Sequence, residues 1–400
     1  MSEWQEVSLG EVTNKIGSGS TPRGGGEFYK ESGISLIRSQ NVLDFKFSTN
    51  GLAFIDDSQA YELRSVAVEQ NDVLLNITGD SVARCCVVPE EILPARVNQH
   101  VAIIRADKTF ADSHYIYYSL QALKEELLMQ SEIGATRNAL TKGMLENIKI
   151  TIPPLEEQKA IASVLSSLDD KIDLLHRQNT TLERLAETLF RQWFLKEAQE
   201  DWEEKRIGDL VKVIDNRGKT PPYTDIPSDY PLIEVNALTG NNRLVDYSVI
   251  RKFVDEQTFK TWFRGHPKKY DSLLSTVGSI GEISMFLVEK GSIAQNVIAL
   301  CAVNICPIYL FEALKNIIDE IKELDIGSVQ PSIKVPHLLS LKIKIPSKAK
   351  IDNFSVIVKS YLEKMIVNYQ QIQTLEKLRD NLLPKLMSGK VRVETEGASK

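Results

Sequence analysis

The sequence predicts an α+β protein: two homologous mixed α/β domains separated by a long antiparallel two-helix coiled coil, with an internal pseudo-two-fold axis. Three observations predict it. Residues 153–198 carry a heptad seam, residues 347–387 repeat that seam position by position, and matched motifs carry the repeat through the rest of the chain. The boundaries that follow are a first domain over 1–152, a long helix over 153–198, a second domain over 199–346, a second long helix over 347–390 and a flexible tail over 391–400.

In the first seam Ile161, Leu168, Leu175, Leu182 and Leu189 fall at one heptad position, and Leu165, Ile172, Asn179 and Ala186 fall four residues after the first four of them. An apolar repeat sustained in this way argues for one helix that pairs with another. At 1.5 Å per residue it extends roughly 65 Å, too long to be buried in one globular domain. Pro153 and Pro154 block helix before it, and Glu156 and Glu157 suit the positive end of the helix dipole. The second seam answers with Phe354, Tyr361, Asn368, Leu375 and Leu382, and with Val358, Met365 and Ile372 between them. Ser347 is the expected N-cap, and Pro384 is expected to end or kink the helix near its close. The first helix is net acidic and the second net basic, which favours their meeting. Asn179 is a candidate register-setting residue, with Asn368 a candidate partner across the seam.

The globular parts repeat as well. EWQEVSLG from Glu3 returns as DWEEKRIG from Asp201. GSGSTPRGGG from Gly17 returns as NRGKTPPY from Asn216, and ISLIRSQN from Ile34 as YPLIEVNA from Tyr230. DVLLNITGDS from Asp72 is answered by DSLLSTVGSI from Asp271, and NQHVAIIR from Asn98 by AQNVIALC from Ala294. Helical stretches are expected at 113–129 and 308–324. The last match, GATRNALTKGMLENIKITIP against GSVQPSIKVPHLLSLKIKIP, runs straight into each long helix. Short strands, Gly/Pro turns and one or two helices make each part an α+β domain. The topology implies similar domains about 60 Å apart at the two ends of a rod, a geometry suited to reading two half-sites at fixed spacing.

Four hundred residues exceed a single core. No apolar run approaches membrane-spanning length and the N-terminus lacks a signal pattern, so a cytoplasmic protein without a membrane partner is expected. Cys85, Cys86, Cys301 and Cys306 lack CxxC spacing, which predicts buried thiols and no metal. The net charge of −6 does not advertise a nucleic-acid binder, so a DNA-binding role needs basic residues gathered on one face or phosphate contacts supplied by partners. TPPY at 220–223 is similar to the NPPY loop of adenine methyltransferases, but Thr220 cannot accept from an exocyclic amine as Asn does. GKT at 218–220 lacks the first glycine of a phosphate-binding loop. Neither predicts chemistry in this chain.

The run GATRNALTKGMLENIKITIPPLEEQKAIASVLSSLDDKID, its weaker second copy, RGKTPPY and the TVGSIG turn resemble the specificity subunit of type I restriction–modification enzymes over essentially the whole chain. The resemblance implies a non-catalytic subunit with two target-recognition domains, each reading one half of a split double-stranded DNA site, and a helical rod that sets the spacer. It implies two adenine-N6-methylating modification subunits as partners and two restriction subunits in the full complex. S-adenosylmethionine, ATP and Mg are expected on those partners and no cofactor on this chain. The second helical region opens with SKAKIDNF where the first has PPLEEQKAI, so Ile351 stands for Gln158 and equal partner contacts at the two ends are not expected. The rival readings are a methyltransferase or nuclease fragment with its own catalysis, and a two-headed protein–protein scaffold.

DNA contacts are expected from basic or amide residues near glycine-containing turns, where backbone can approach phosphate and Arg or Gln can reach base edges. The candidates are Arg23, Arg38, Arg84, Arg96, Thr136 and Arg137 in the first domain, and Arg217, Lys219, Arg243, Lys268, Lys269 and Gln330 in the second. Arg137 and Gln330 occupy matched places in the repeat. Trp4 and Trp202 are expected to pack domain against rod rather than stack on bases.

Overall fold

The computed structural model describes residues 4–21, 29–132, 138–218, 220–240, 243–287 and 290–393. The chain forms two compact units, Met1–Leu174 with Gln371–Lys400, and Leu175–Gln370. Among the described residues no helix is long and apolar enough to cross a membrane.

The first unit is built on an antiparallel sheet in the order Thr13–Ser18, Val101–Ala106, Val73–Asn76, Cys85–Val87. A smaller sheet places Ile34–Ile37 parallel to Ala95–Val97. The second unit repeats the antiparallel sheet and, of the smaller sheet, the parallel pair. Its order is Val211–Asp215, Val297–Ala302, Ser272–Ser275, Ile283–Met285, and Leu232–Ile233 runs parallel to Ser292–Ile293. The apolar faces of these strands and the helices Ser113–Ala122 and Pro307–Asn316 form the two main cores. Each expected helical stretch is interrupted, at Leu123 and at Ile317, and resumes in a new helix.

A two-stranded clasp closes each domain and feeds its long helix. Gln5–Ser8 pairs antiparallel with Lys149–Ile152, and Glu203–Arg206 with Lys342–Ile345. The repeat extends to single atoms here. The Tyr115 hydroxyl donates to the carbonyl of Thr151 at 2.7 Å, and the Tyr309 hydroxyl to that of Lys344 at 2.6 Å. Gly10 and Gly208 each lie so close to the neighbouring carbonyl, of Glu146 and Leu339, that an added Cβ would stand 3.2 Å from it.

The first long helix spans Leu155–Phe190 and widens into a π-turn over Arg191–Lys196. The second spans Lys348–Met387, with Ser347 Oγ accepting from the Lys350 amide at 3.4 Å. Pro384 does not end it. The helix continues to Met387, and Gly389, in the left-handed region at φ +69°, turns the chain out. Within each unit the two helices run antiparallel. In the first unit Asp169 pairs with Arg379 and Glu157 with Arg392; in the second Asn179 meets Asn368, and Glu197 meets Lys350. The Asn368 amide donates to Asn179 Oδ1 at 2.8 Å, so the candidate partner across the seam is the one that meets it.

Clasp and helices are locked together by different chemistry in the two units. Gln158, fully buried, accepts from the Asp112 amide at 3.0 Å and donates to the carbonyls of Phe110 and Pro153 at 3.1 and 2.9 Å. Its role is thus internal to the domain. Ile351, its counterpart, is buried in the apolar core of the second unit. The guanidinium of Arg379 lies 3.6 Å from the Phe45 ring centroid, and the Tyr118 hydroxyl joins it on Asp169 at 2.6 Å. The second unit uses aromatic packing instead. Phe190 and Phe194 from the end of the first helix surround Phe354 and Tyr309, with Trp202 against Phe194. Each fully buried ring of this kind contributes about 1.5–3 kcal/mol. Trp4 packs on the first core, under Arg392. Arg392 also holds Glu157, and the rest of the expected tail, 394–400, lies outside the described residues.

Candidate nucleic-acid interface

Each domain carries the same polar edge where its main strands end. In the first, the Val73–Asn76 strand leads to Thr78 and Gly79, and the loop before Val101–Ala106 supplies Gln99 and His100. Thr78 Oγ1 lies 2.6 Å from His100 Nδ1, Gln99 Nε2 lies 3.2 Å from His100 Nε2, and the Thr21 hydroxyl donates to Gln99 Oε1. The Gly79 amide donates to the carbonyl of Asn138, and Thr78 bridges to Ala139. In the second domain the Thr220 hydroxyl donates to Gln295 Oε1 at 3.4 Å. The Gly278 amide donates to the carbonyl of Pro331, and Val277 bridges to Ser332. Gly79 and Gly278 both have positive φ, +75° and +84°, a conformation that favours glycine. A Cβ at Gly79 would meet nothing within 4 Å, so this turn is open to a close ligand. Thr21 and Thr220, the Thr78–Gly79 and Val277–Gly278 turns, Gln99 and Gln295, and the segments at Asn138–Ala139 and Pro331–Ser332 therefore converge at one edge of each domain.

Sequence reasoning singled out four of these segments yet missed Thr21, Gln99, His100, Thr220 and Gln295. The signal was present: aligning NQHVAIIR with AQNVIALC sets Gln99 against Gln295, and aligning the two turns sets Thr21 against Thr220. Charge drew the selection to arginines instead.

Several of those arginines are engaged within the protein. Arg243 requires correction: only 1% exposed, it pairs with buried Glu312, donates to the carbonyl of Glu183 at 3.4 Å and lies 5.3 Å from the Phe311 ring, so it cannot reach a phosphate. Burial lowers its pKa to about 10. Arg96 donates to the carbonyls of Ala60 and Ala95 at 3.0 and 2.9 Å. Arg38 donates to the carbonyl of Gly51 and lies over Tyr29. Arg217 grips Asp215 through Nε at 2.8 Å; burial pushes that carboxyl up, but Arg217's hydrogen bonds and charge outweigh it and hold Asp215 below the usual range. Arg84 makes no side-chain hydrogen bond or ion pair among the described residues, and Lys268, Lys269 and Gln330 are exposed. Gln330 stands at the polar edge, with Nε2 3.4 Å from where a Gly278 Cβ would lie. Arg23, Thr136, Arg137 and Lys219 lie outside the described residues. The cysteines divide: Cys85 and Cys86 are buried, Cys301 and Cys306 half-buried.

Two homologous domains presenting one polar edge each define a two-headed recognition protein. The model of the type I restriction modification DNA specificity domain matches residues 1–184 and again residues 199–377, and the chain belongs to that family. It is a specificity subunit, the DNA-recognition component rather than a catalytic one. Its relatives include the MjaIX specificity subunit of Methanocaldococcus jannaschii, 29% identical over 307 residues, or 70% of each chain. The HindI specificity subunit of Haemophilus influenzae is 21% identical, over 98% of this chain and all of that one. The crystal structure of the type I restriction–modification S subunit from M. genitalium shares the fold, with a TM-score of 0.61 at 17% identity and 96% coverage of both chains.

Proposed function

We propose that each domain reads one half of a bipartite double-stranded DNA site through its polar edge, while the paired helices set the unspecified spacer. Two adenine-N6 methyltransferase subunits bind the assembled chain, and two restriction subunits complete the complex. S-adenosylmethionine, ATP and Mg belong to those partners, and the complex works in the cytoplasm. The observation that carries this reading is the duplicated edge, with a threonine-held glutamine beside a glycine turn in both domains. Arg84, Lys268, Lys269 and Gln330 are the described candidates for further DNA contacts, and Arg23, Thr136, Arg137 and Lys219 remain candidates on sequence grounds.

The test exchanges residues 199–346 for the corresponding domain of a relative and sequences the methylated sites made with the modification subunits. One half-site should change and the other stay. A change in both half-sites would refute independent reading by the two domains. Binding should also weaken steeply with salt, as phosphate contacts require.

A further inference from the structure

Building on that reading, we propose that Gln99 and Gln295 are equivalent DNA-backbone contacts, one per half-site, with Thr21 and Thr220 as the positioning residues that orient them. Each glutamine is exposed and each accepts at Oε1 from a threonine hydroxyl, at 3.4 Å in the second domain. The amide NH2 carries two donors, so although Gln99 Nε2 lies 3.2 Å from His100 Nε2, a hydroxyl on Oε1 still leaves an N–H to present to a ligand. A phosphate oxygen is the acceptor in DNA that such a donor meets whatever the base sequence.

Comparing the two edges separates the shared contact from the discriminating ones. Beside the common glutamine, His100 stands where the second copy has Asn296, and Thr78 stands where it has Val277. A residue and its holder that are the same in both domains cannot tell two half-sites apart. They suit what every half-site shares, the sugar–phosphate chain. The changed neighbours are where the two readers can differ. The Gly79 turn belongs to the same edge through the Thr78–His100 contact, and a Cβ added there would meet nothing within 4 Å.

The experiment uses the chain assembled with its modification subunits, labelled cognate duplex and fluorescence anisotropy at several salt concentrations. Gln99→Ala and Gln295→Ala should each weaken binding about tenfold, the typical loss of a hydrogen bond to a charged acceptor. Because a neutral amide releases no counterion, the slope of log affinity against log salt should not change. The methylated sequence should stay the same. Thr21→Val and Thr220→Val should weaken binding less, and their effect should vanish when the matching glutamine is already alanine. A purely structural threonine would keep its effect in that background. Thermal melts matching wild type exclude misfolding as the cause. Full affinity in both glutamine variants overturns the proposal, and so does relaxed recognition at one base, which would make the glutamine a base reader. If the wild-type complex itself shows no sequence preference, the DNA-reading function fails; if only the variants fail to differ from it, the backbone contact alone is lost.

Discussion

Replacing Arg243 by alanine should destabilise the second unit severely, although the residue touches no ligand. Its guanidinium and the Glu312 carboxylate are 1% and 2% exposed and face each other. Truncation leaves Glu312 buried beside Phe311 without its counter-charge, and removing one partner of such a pair costs about 3–5 kcal/mol. With a urea dependence of about 1–3 kcal/mol per molar, the unfolding midpoint should fall by 1 M or more. Tryptophan fluorescence suits the measurement, because Trp193, Trp202 and Trp262 all lie in this unit and only Trp4 in the other. The double variant Arg243→Met with Glu312→Leu should recover most of the loss, since it removes both charges and keeps the volume filled. A midpoint within experimental error of wild type for Arg243→Ala, or a double variant no better than the single, would show that the pair does not hold this core together.

Two further changes probe the lock on each unit. Gln158→Ile copies the residue the second unit uses, but it strands the Asp112 amide and the carbonyls of Phe110 and Pro153. It should cost about 3 kcal/mol and speed amide exchange at Asp112, and unchanged exchange there would argue against the lock. His266 stacks on Phe259 at 3.8 Å and is held below its usual pKa by burial. The unfolded chain therefore takes up the proton first as pH falls, so stability is full above about pH 6.5 and declines below it. His266→Phe keeps a stacking ring and should flatten that decline between about pH 7 and pH 5. Equal urea-midpoint losses in variant and wild type would contradict it.

Much of this architecture was readable as periodicity and repetition, because a seam with no interrupting glycine leaves few alternatives to a paired helix. What periodicity missed has a geometric cause. A straight α-helix has 3.6 residues per turn, so a strict seven-residue count drifts around it. On the second helix Ile351, Val358, Met365, Ile372, Arg379 and Leu386 keep heptad spacing and are buried. The other line moves from Phe354 to Leu362 and Leu383, which the heptad count did not include, while Tyr361, Leu375 and Leu382 are only partly buried. Arg379, of a residue type seldom buried unless paired, is held in the seam by Asp169 and Phe45. Strand order was not legible, since Thr13–Ser18 pairs with Val101–Ala106 across most of the domain. At the candidate interface, residue type alone could not tell a phosphate-binding arginine from one whose donors are spent on carbonyls and carboxylates. Arg96, Arg217 and Arg243 all belong to the second kind.

The two copies differ in a pattern that bears on function. Some contacts that fix the interior differ: Gln158 has Ile351 as its counterpart, and Arg105, which bonds Asp72 at 2.8 Å, has Cys301 beside Asp271. Losing the arginine leaves Asp271 with a weaker partner, and burial accordingly raises its pKa against the hydrogen bonds it keeps. Such internal contacts bear on the stability of one unit, and each unit meets that need with different residues. The threonine–glutamine pair and the left-handed glycine have not changed, although all of them lie at an edge that no core requires. Packing therefore does not explain their retention in both copies. On the reading proposed above a common ligand does, and the ligand common to two differing readers is the DNA backbone.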